Sequence, residues 1–314
     1  RTFYDDELIW NGEVYTEPRY TTEVVTEHAL DFLAQARQDP FFLYVAYNGP
    51  YGLGRSMTEV HKNRHTAYYA GKELASFPRE PVHPWLVHNR QIINNQVSIE
   101  GYASAVSGVD DGVGAIMDAL DEYGLSEDTL VIYASDQGLC GGHHGMWGMG
   151  DHSRPLHTFE EAIHIPLIFR HQGQMSAGVT VDHRTCNYDF MPSLLDYLHL
   201  GEKTLDVSPG RNYGPVLRGE SVSWDGTIFH EFEHARMIRT DRWKYTWRYP
   251  EGPDELYDME NDSGERSNLV GNASAVDVIA DLRERINAFF DRYADSEFDL
   301  WKGGRSKAGR AIEF

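Results

Sequence analysis

The sequence predicts an α/β protein: a mostly parallel central sheet flanked by helices, with a smaller C-terminal antiparallel α+β lobe. Three observations predict it. Through about residue 200, amphipathic helical stretches alternate with short apolar runs, the pattern of a largely parallel sheet. The run Leu130-Val131-Ile132-Tyr133-Ala134 is of buried-strand type. From Thr227 onward apolar and polar residues alternate, as in an antiparallel sheet with one solvated face.

In chain order, Val25, Ala29, Phe32 and Leu33 recur at helical spacing from Thr22 to Gln38, and Pro40 stops that helix before a strand from Phe41 to Tyr47. Residues 51 to 98 place Gly, Pro, His and Asn in irregular order, with Pro78, Pro81 and Pro84 closely spaced. A loop of that length inside a compact domain is usually functional or disordered, and its position after the strand assigns it to a substrate-facing excursion. A helix from about Ile99 to Tyr123 turns Val106, Val109, Val113, Ile116, Met117 and Leu120 inward and ends at Gly124. The strand Leu130 to Ala134 follows, then a Gly/His loop and a second apolar strand.

A helix from Asp189 to Leu198 precedes a Gly/Pro-rich crossing at Ser208 to Gly219. Strands are expected at Ile228 to His234, Met237 to Arg239 and Trp243 to Tyr249. A helix from about Ala275 to Arg292 covers them with Val276, Ile279, Leu282, Ile286 and Phe289 or Phe290. The expected division is a larger α/β domain over residues 1–220 and the antiparallel lobe over 221–314.

The chain has 314 residues, enough to bury a sizeable core, and a formal charge of −21. That charge argues against nucleic acid and against anionic membrane surfaces as partners. An anionic substrate would need local positive charge, from a metal or from arginines. No run of about 18 apolar residues spans a membrane, and the Arg-Thr-Phe-Tyr-Asp-Asp start is not a signal peptide. Two cysteines, Cys140 and Cys186, make no disulfide framework; they are a free pair or a single bridge. Asn261-Asp-Ser and Asn272-Ala-Ser are sequons of a kind common by chance.

The chemistry concentrates after Ala134. Asp136 and Gln137 sit just past a strand end, where open α/β sheets place ligands and metals. Two oxygen-bearing side chains there suit a hard cation, Ca²⁺ or Mg²⁺, better than zinc. Next comes Gly141-Gly142-His143-His144-Gly145-Met146-Trp147-Gly148, which brings imidazoles close to backbone amides. Taken alone, Ser-Asp-x-Gly reads as a turn and the histidines as solvated.

The whole string reads differently. Ser135-Asp136-Gln137-Gly138, Gly142 to Gly148, Phe159-Glu160-Glu161 and Ile165-Pro166-Leu167-Ile168 resemble the sulfatase family in order and spacing. Pro40 to Pro50 is similar to that family's pocket strand, and Arg236 to Tyr245 with Glu255 to Met259 to its C-terminal hairpin and exit. The resemblance covers essentially the whole chain and implies an alkaline phosphatase-like fold. It also implies calcium-dependent hydrolysis of a sulfate ester by a formylglycine nucleophile, on a sulfated small molecule or glycan. Asp136 and Gln137 match two metal ligands, with Ca²⁺ preferred over Mg²⁺; His144 matches a catalytic histidine, and Tyr51 stands where the family commonly has one. His143, Trp147, Met149 and Arg236 fall at substrate-facing positions of the resemblance.

Departures from the family pattern shape the expectation. Met149 stands where many sulfatases carry a sulfate-binding lysine, and a thioether supplies neither charge nor donor. His152 and Arg154 are candidate compensating cations. The Cys-x-Pro-x-Arg segment is absent, since Cys140 precedes Gly-Gly-His and Cys186 precedes Asn-Tyr-Asp. The chain therefore resembles the middle and C-terminal portion of a sulfatase, and an N-terminal polypeptide completing the sheet is the expected partner. The resemblance implies a periplasmic, secreted or lysosomal-type setting. Alternatives are a phosphate or phosphonate ester hydrolase of the same superfamily and a non-catalytic relative binding an anionic glycan.

Rival motifs are weaker. His230-Glu231-Phe232-Glu233-His234 fits a zinc-protease pattern, but on a strand its histidines lie about 13 Å apart at roughly 3.3 Å per residue, too far for one zinc. Thr227-Ile228-Phe229 and the hairpin after it favour a strand. His61 and His65, four apart, read as a solvated surface pair. Trp85, Trp147 and Trp247 read as packing residues in segments able to line a carbohydrate cleft.

Overall fold

The computed structural model describes residues 3–35, 39–52, 54, 57–59, 61–201 and 208–306. These group into two compact units. The first comprises Arg1–Ser153 with His164–Gln172, the second Arg154–Ile163 with Gly173–Phe314.

The first unit opens with an antiparallel hairpin, β1 (Asp6–Trp10) and β2 (Glu13–Glu17), turned at Asn11-Gly12. The helix α1 (Thr21–Leu33) follows; the expected end at Gln38 lies outside the described residues. A single turn, α2 (Thr66–Tyr69), interrupts the long excursion. The long helix α3 (Gln96–Glu122) starts where the Asn95 side chain accepts a hydrogen bond from the Val97 N–H at 3.0 Å. The strands β3 (Val131–Ala134) and β4 (Leu167–Arg170) pair antiparallel, with Val131 opposite Arg170.

Leu33 of α1 and Ala119 and Leu120 of α3 form a core against which Phe41, Leu43 and Val131 pack. Residues 41–47 alternate between half-buried and exposed, as an extended segment does, yet carry no ladder. Every ladder among the described residues is antiparallel, so the expected parallel pairings are not among them. An apolar run specifies extended backbone, whereas a ladder also needs a neighbouring strand in register. Phe42 (84% exposed), Tyr44 (79%) and Ile168 (59%) consequently present apolar side chains to solvent.

In the second unit, α4 (Glu160–Ile163), α5 (Asn187–Tyr197) and α6 (Gly214–Leu217) precede a four-stranded antiparallel meander. Its strands are β5 (Ile228–Phe232), β6 (Ala235–Arg239), β7 (Trp243–Arg248) and β8 (Glu255–Asp258). Helix α7 (Val276–Tyr293) lays Leu282, Ile286 and Phe290 against Ile238, Tyr245 and Leu256. The Phe229 and Phe289 rings stack at 4.0 Å. The antiparallel lobe expected from the alternation is therefore present, with β8 added at its edge.

Candidate active-site loop

β3 ends at Ala134 and hands the chain to Ser135, whose hydroxyl donates to the Gln137 carbonyl at 2.7 Å. That tight turn leaves Asp136 and Gln137 exposed at the strand end. Among the described residues, no hydrogen bond or ion pair engages the Asp136 carboxylate. An unpaired carboxylate beside an amide oxygen fits part of the oxygen shell of a hard cation. These two donors would hold such an ion.

The following loop closes on itself. The Gly142 N–H donates to the Met146 carbonyl at 2.8 Å, the His143 N–H to the Cys140 carbonyl at 2.9 Å and the Cys140 N–H to the Gly148 carbonyl at 3.1 Å. His144 sits at the tip with φ +56°, a left-handed conformation, and its side chain is buried, whereas His143 is half-buried. Gly142 and Gly145 are also left-handed, and a methyl on either would collide with the Pro78 or Pro81 carbonyl.

Trp147, expected to face substrate, instead anchors the loop. It is 1% exposed, its indole Nε1 donates to the Gly52 carbonyl at 2.6 Å and its ring stacks on Phe77. An indole N–H offers a single donor, and burial obliges it to find an acceptor. This bond ties the Pro50-Tyr51-Gly52 segment to the His143-His144 loop, so two sequence-predicted site segments meet. Tyr51 is half-buried there. Met149 is half-buried as well, and its N–H lies 3.3 Å from His152 Nδ1. That N–H donates to Nδ1, and the Asp151 carboxylate lies 2.7 Å from the same nitrogen.

Arg236 is a second correction. It is 2% exposed in β6, pairs with Glu231 at 2.8 Å and Asp299 at 2.7 Å, and lies against the Phe290 and Trp301 rings. Its charge serves the interior of the second unit rather than a sulfate. His61 is a third: it is 4% exposed, ringed by Phe3, Tyr4 and Tyr20, and burial lowers its pKa to about 4. His65 pairs with Asp111 at 2.7 Å. His230 lies in β5 and His234 in the turn after it, so the zinc-protease pattern falls on extended chain as expected. Burial, then the Lys244 charge, lowers the His230 pKa to about 4. Among the described residues neither cysteine is in a disulfide.

The sulfatase family model matches residues 2–200, well over half of the chain. The chain belongs to the sulfatase family. A second family model, N-sulphoglucosamine sulphohydrolase C-terminal, matches residues 145–292 of this sulfatase-family chain. An N-acetylglucosamine-6-O-sulfatase of Bacteroides thetaiotaomicron is 28% identical over 228 residues, 67% of this chain and 39% of that protein. A protein solved in complex with its substrate, D-glucosamine-2-N,6-O-disulfate, superposes with TM-score 0.70 at 20% identity, covering 93% of this chain and 74% of that one. The phosphonate monoester hydrolase of Agrobacterium radiobacter superposes with TM-score 0.55 at 26% identity, covering 64% and 44%. The likeness establishes the alkaline phosphatase-like fold, with the C-terminal antiparallel sheet described above. The chain spans about half the length of the curated relatives it matches.

Proposed function

We propose that this chain carries part of the active site of a sulfuric ester hydrolase acting on a sulfated carbohydrate. The observation that carries the reading is one loop system. The Asp136 carboxylate, without a partner among the described residues, and the Gln137 amide stand at the end of β3, while the following loop holds His144 and is bonded through Trp147 to the chain beside Tyr51. Asp136 and Gln137 would hold Ca²⁺, with Mg²⁺ the poorer match because it demands a stricter octahedral shell. When bound, the ion supplies Lewis-acid polarisation of the sulfate oxygens. His144 donates or accepts a proton at the ester oxygen, and Tyr51 offers a hydroxyl donor where the family commonly has histidine.

The two cysteines lie outside any Cys-x-Pro-x-Arg segment, so the formylglycine nucleophile would come from polypeptide beyond these 314 residues. The exposed apolar face of residues 41–47 supports a partner segment that completes the sheet. A phosphonate or phosphate ester is the second reading, supported by the 26% identical phosphonate monoester hydrolase.

The test is thermal unfolding with and without calcium. A saturating ion at about 100 times its dissociation constant adds about 2.7 kcal/mol to stability. Asp136→Ala should abolish that gain; equal calcium shifts in variant and native chain would remove the metal assignment.

A further inference from the structure

Residues 81–90 are fixed onto the chain that carries the histidine loop. The His83 N–H donates to the Gly145 carbonyl at 2.9 Å, and the Val87 and His88 N–H groups donate to the His152 carbonyl at 3.0 and 3.2 Å. Leu86 bridges to Ser153 and is 1% exposed. Gly142 and Gly145 exist in space that any side chain would deny to Pro78 and Pro81. The segment is thus a built lip, held in register with His143 and His144.

Its side chains are not used for packing to the same degree. Around buried Leu86, His83 and Trp85 are half-buried and His88 is exposed. The His83 and Trp85 rings meet edge to face at 4.9 Å, and the Trp85 N–H donates to His83 Nδ1 at 3.1 Å, which fixes the imidazole orientation. The His88 and His152 rings lie 6.1 Å apart, and the Met149 N–H donates to His152 Nδ1 at 3.3 Å. An indole beside oriented imidazoles is a surface for a sugar ring and its substituents.

The charge pattern points the same way by an independent route. The protein has 49 Asp and Glu against 28 Lys and Arg, yet residues 81–99 contain no acidic residue, and across residues 137–152 the one carboxylate, Asp151, is paired with His152. The two stretches joined at this lip form a gap in a field that elsewhere repels anions.

We propose that Trp85, His88 and His152 form a subsite for a second anionic substituent, sulfate or carboxylate, on the sugar whose sulfate ester is cleaved. The sugar ring lies on Trp85, and imidazole N–H groups meet the second anion. The proposal rests on the sulfatase reading above and adds a substrate class to it: sugars bearing two anionic groups.

Calorimetric titration of the 314-residue chain tests it with four probes: inorganic sulfate, glucosamine 6-O-sulfate, glucosamine-2-N,6-O-disulfate and a 2-O-sulfated uronic acid. A second anion should tighten binding about tenfold over the monosulfated sugar, the size of one charge-assisted contact. His88→Gln should cut that gain to about twofold, and Trp85→Ala should weaken every sugar about tenfold while leaving inorganic sulfate unchanged. Of the two doubly anionic probes, the tighter identifies the second group as sulfate or carboxylate. If His88→Gln keeps the full gain, or Trp85→Ala binds sugars as the native chain does, the subsite is overturned. Native binding of the monosulfated sugar without any gain from a second anion overturns the subsite alone. No binding of any sulfated sugar overturns the subsite, whereas the sulfatase reading is decided separately by the calcium shift and its loss in Asp136→Ala.

Discussion

Lys244→Met will destabilise the second unit by about 3 kcal/mol, the lower end of the range for breaking a buried ion pair. Lys244 lies in β7 with its side chain 1% exposed, and its ammonium is 2.7 Å from Glu265 and 3.0 Å from Glu160. Glu265 is equally buried. At an effective dielectric constant of about 20, each contact is worth roughly 5 to 6 kcal/mol of gross Coulomb energy, most of which desolvation offsets. The lower end applies because Glu160, one of the two partners, keeps access to water. Removing the ammonium leaves the buried Glu265 carboxylate facing the half-buried Glu160 carboxylate.

The pH dependence follows from Glu265. Burial, the largest cause, raises its carboxyl above the ordinary value despite Lys244. A carboxyl raised on folding binds its proton more tightly in the native state. Its contribution is therefore fullest at low pH and is lost as pH rises from the ordinary carboxylate value through the raised one. Glu265→Gln removes that titration, so its stability relative to the native chain should improve as pH rises across this window. Urea unfolding of both variants at pH 4.5 and 7.5 measures it. A Lys244→Met change under about 1 kcal/mol, or a Glu265→Gln difference that does not move with pH, refutes the argument.

The parts of the fold legible in the sequence were those fixed by local periodicity. Helix α3 declares itself because its 27 residues carry several turns of apolar repeat, although its first turn, from Gln96 behind the Asn95 cap, went unread. The β5 to β7 meander declares itself by alternation, which also disposes of the zinc-protease pattern. The hairpin β1–β2 went unread although Asn11-Gly12 between apolar runs is a strong short-range hairpin signal. The illegible features depend on partners distant in sequence. Trp147 in a glycine-rich loop looks exposed until the Gly52 carbonyl, 95 residues away, accepts its N–H. Arg236 looks like an anion contact until Asp299, 63 residues on, takes its guanidinium. His61 looks solvated until Phe3, Tyr4 and Tyr20 enclose it. The exposure of Asp136 and Gln137 was legible because a strand end followed by glycine exposes whatever side chains stand there.

Arg236→Met should lower the unfolding free energy by about 3 kcal/mol, since Glu231 and Asp299 lose their shared cation. Sulfated-sugar affinity of the folded fraction should not change; a selective affinity loss without destabilisation would restore Arg236 to the substrate site. Gly145→Ala probes how the histidine loop is held. Gly145 and Gly124 both adopt positive φ, at +65° and +67°, so alanine at either costs roughly 1 to 2 kcal/mol in backbone conformation. A methyl at Gly124 meets nothing within 4 Å, whereas one at Gly145 overlaps the Pro81 carbonyl and lies 2.7 Å from the His83 nitrogen. The collision is with backbone, which no rotamer relieves, so the lip must move away from the loop. The excess loss in Gly145→Ala over Gly124→Ala should reach about 1 to 3 kcal/mol, the usual cost of forced backbone shifts. Hydrogen exchange should show the His83, Val87 and His88 amides losing protection only in Gly145→Ala, because their acceptors are the Gly145 and His152 carbonyls. Equal losses in the two variants, with those three amides still protected, would mean that the lip is not clamped through Gly145.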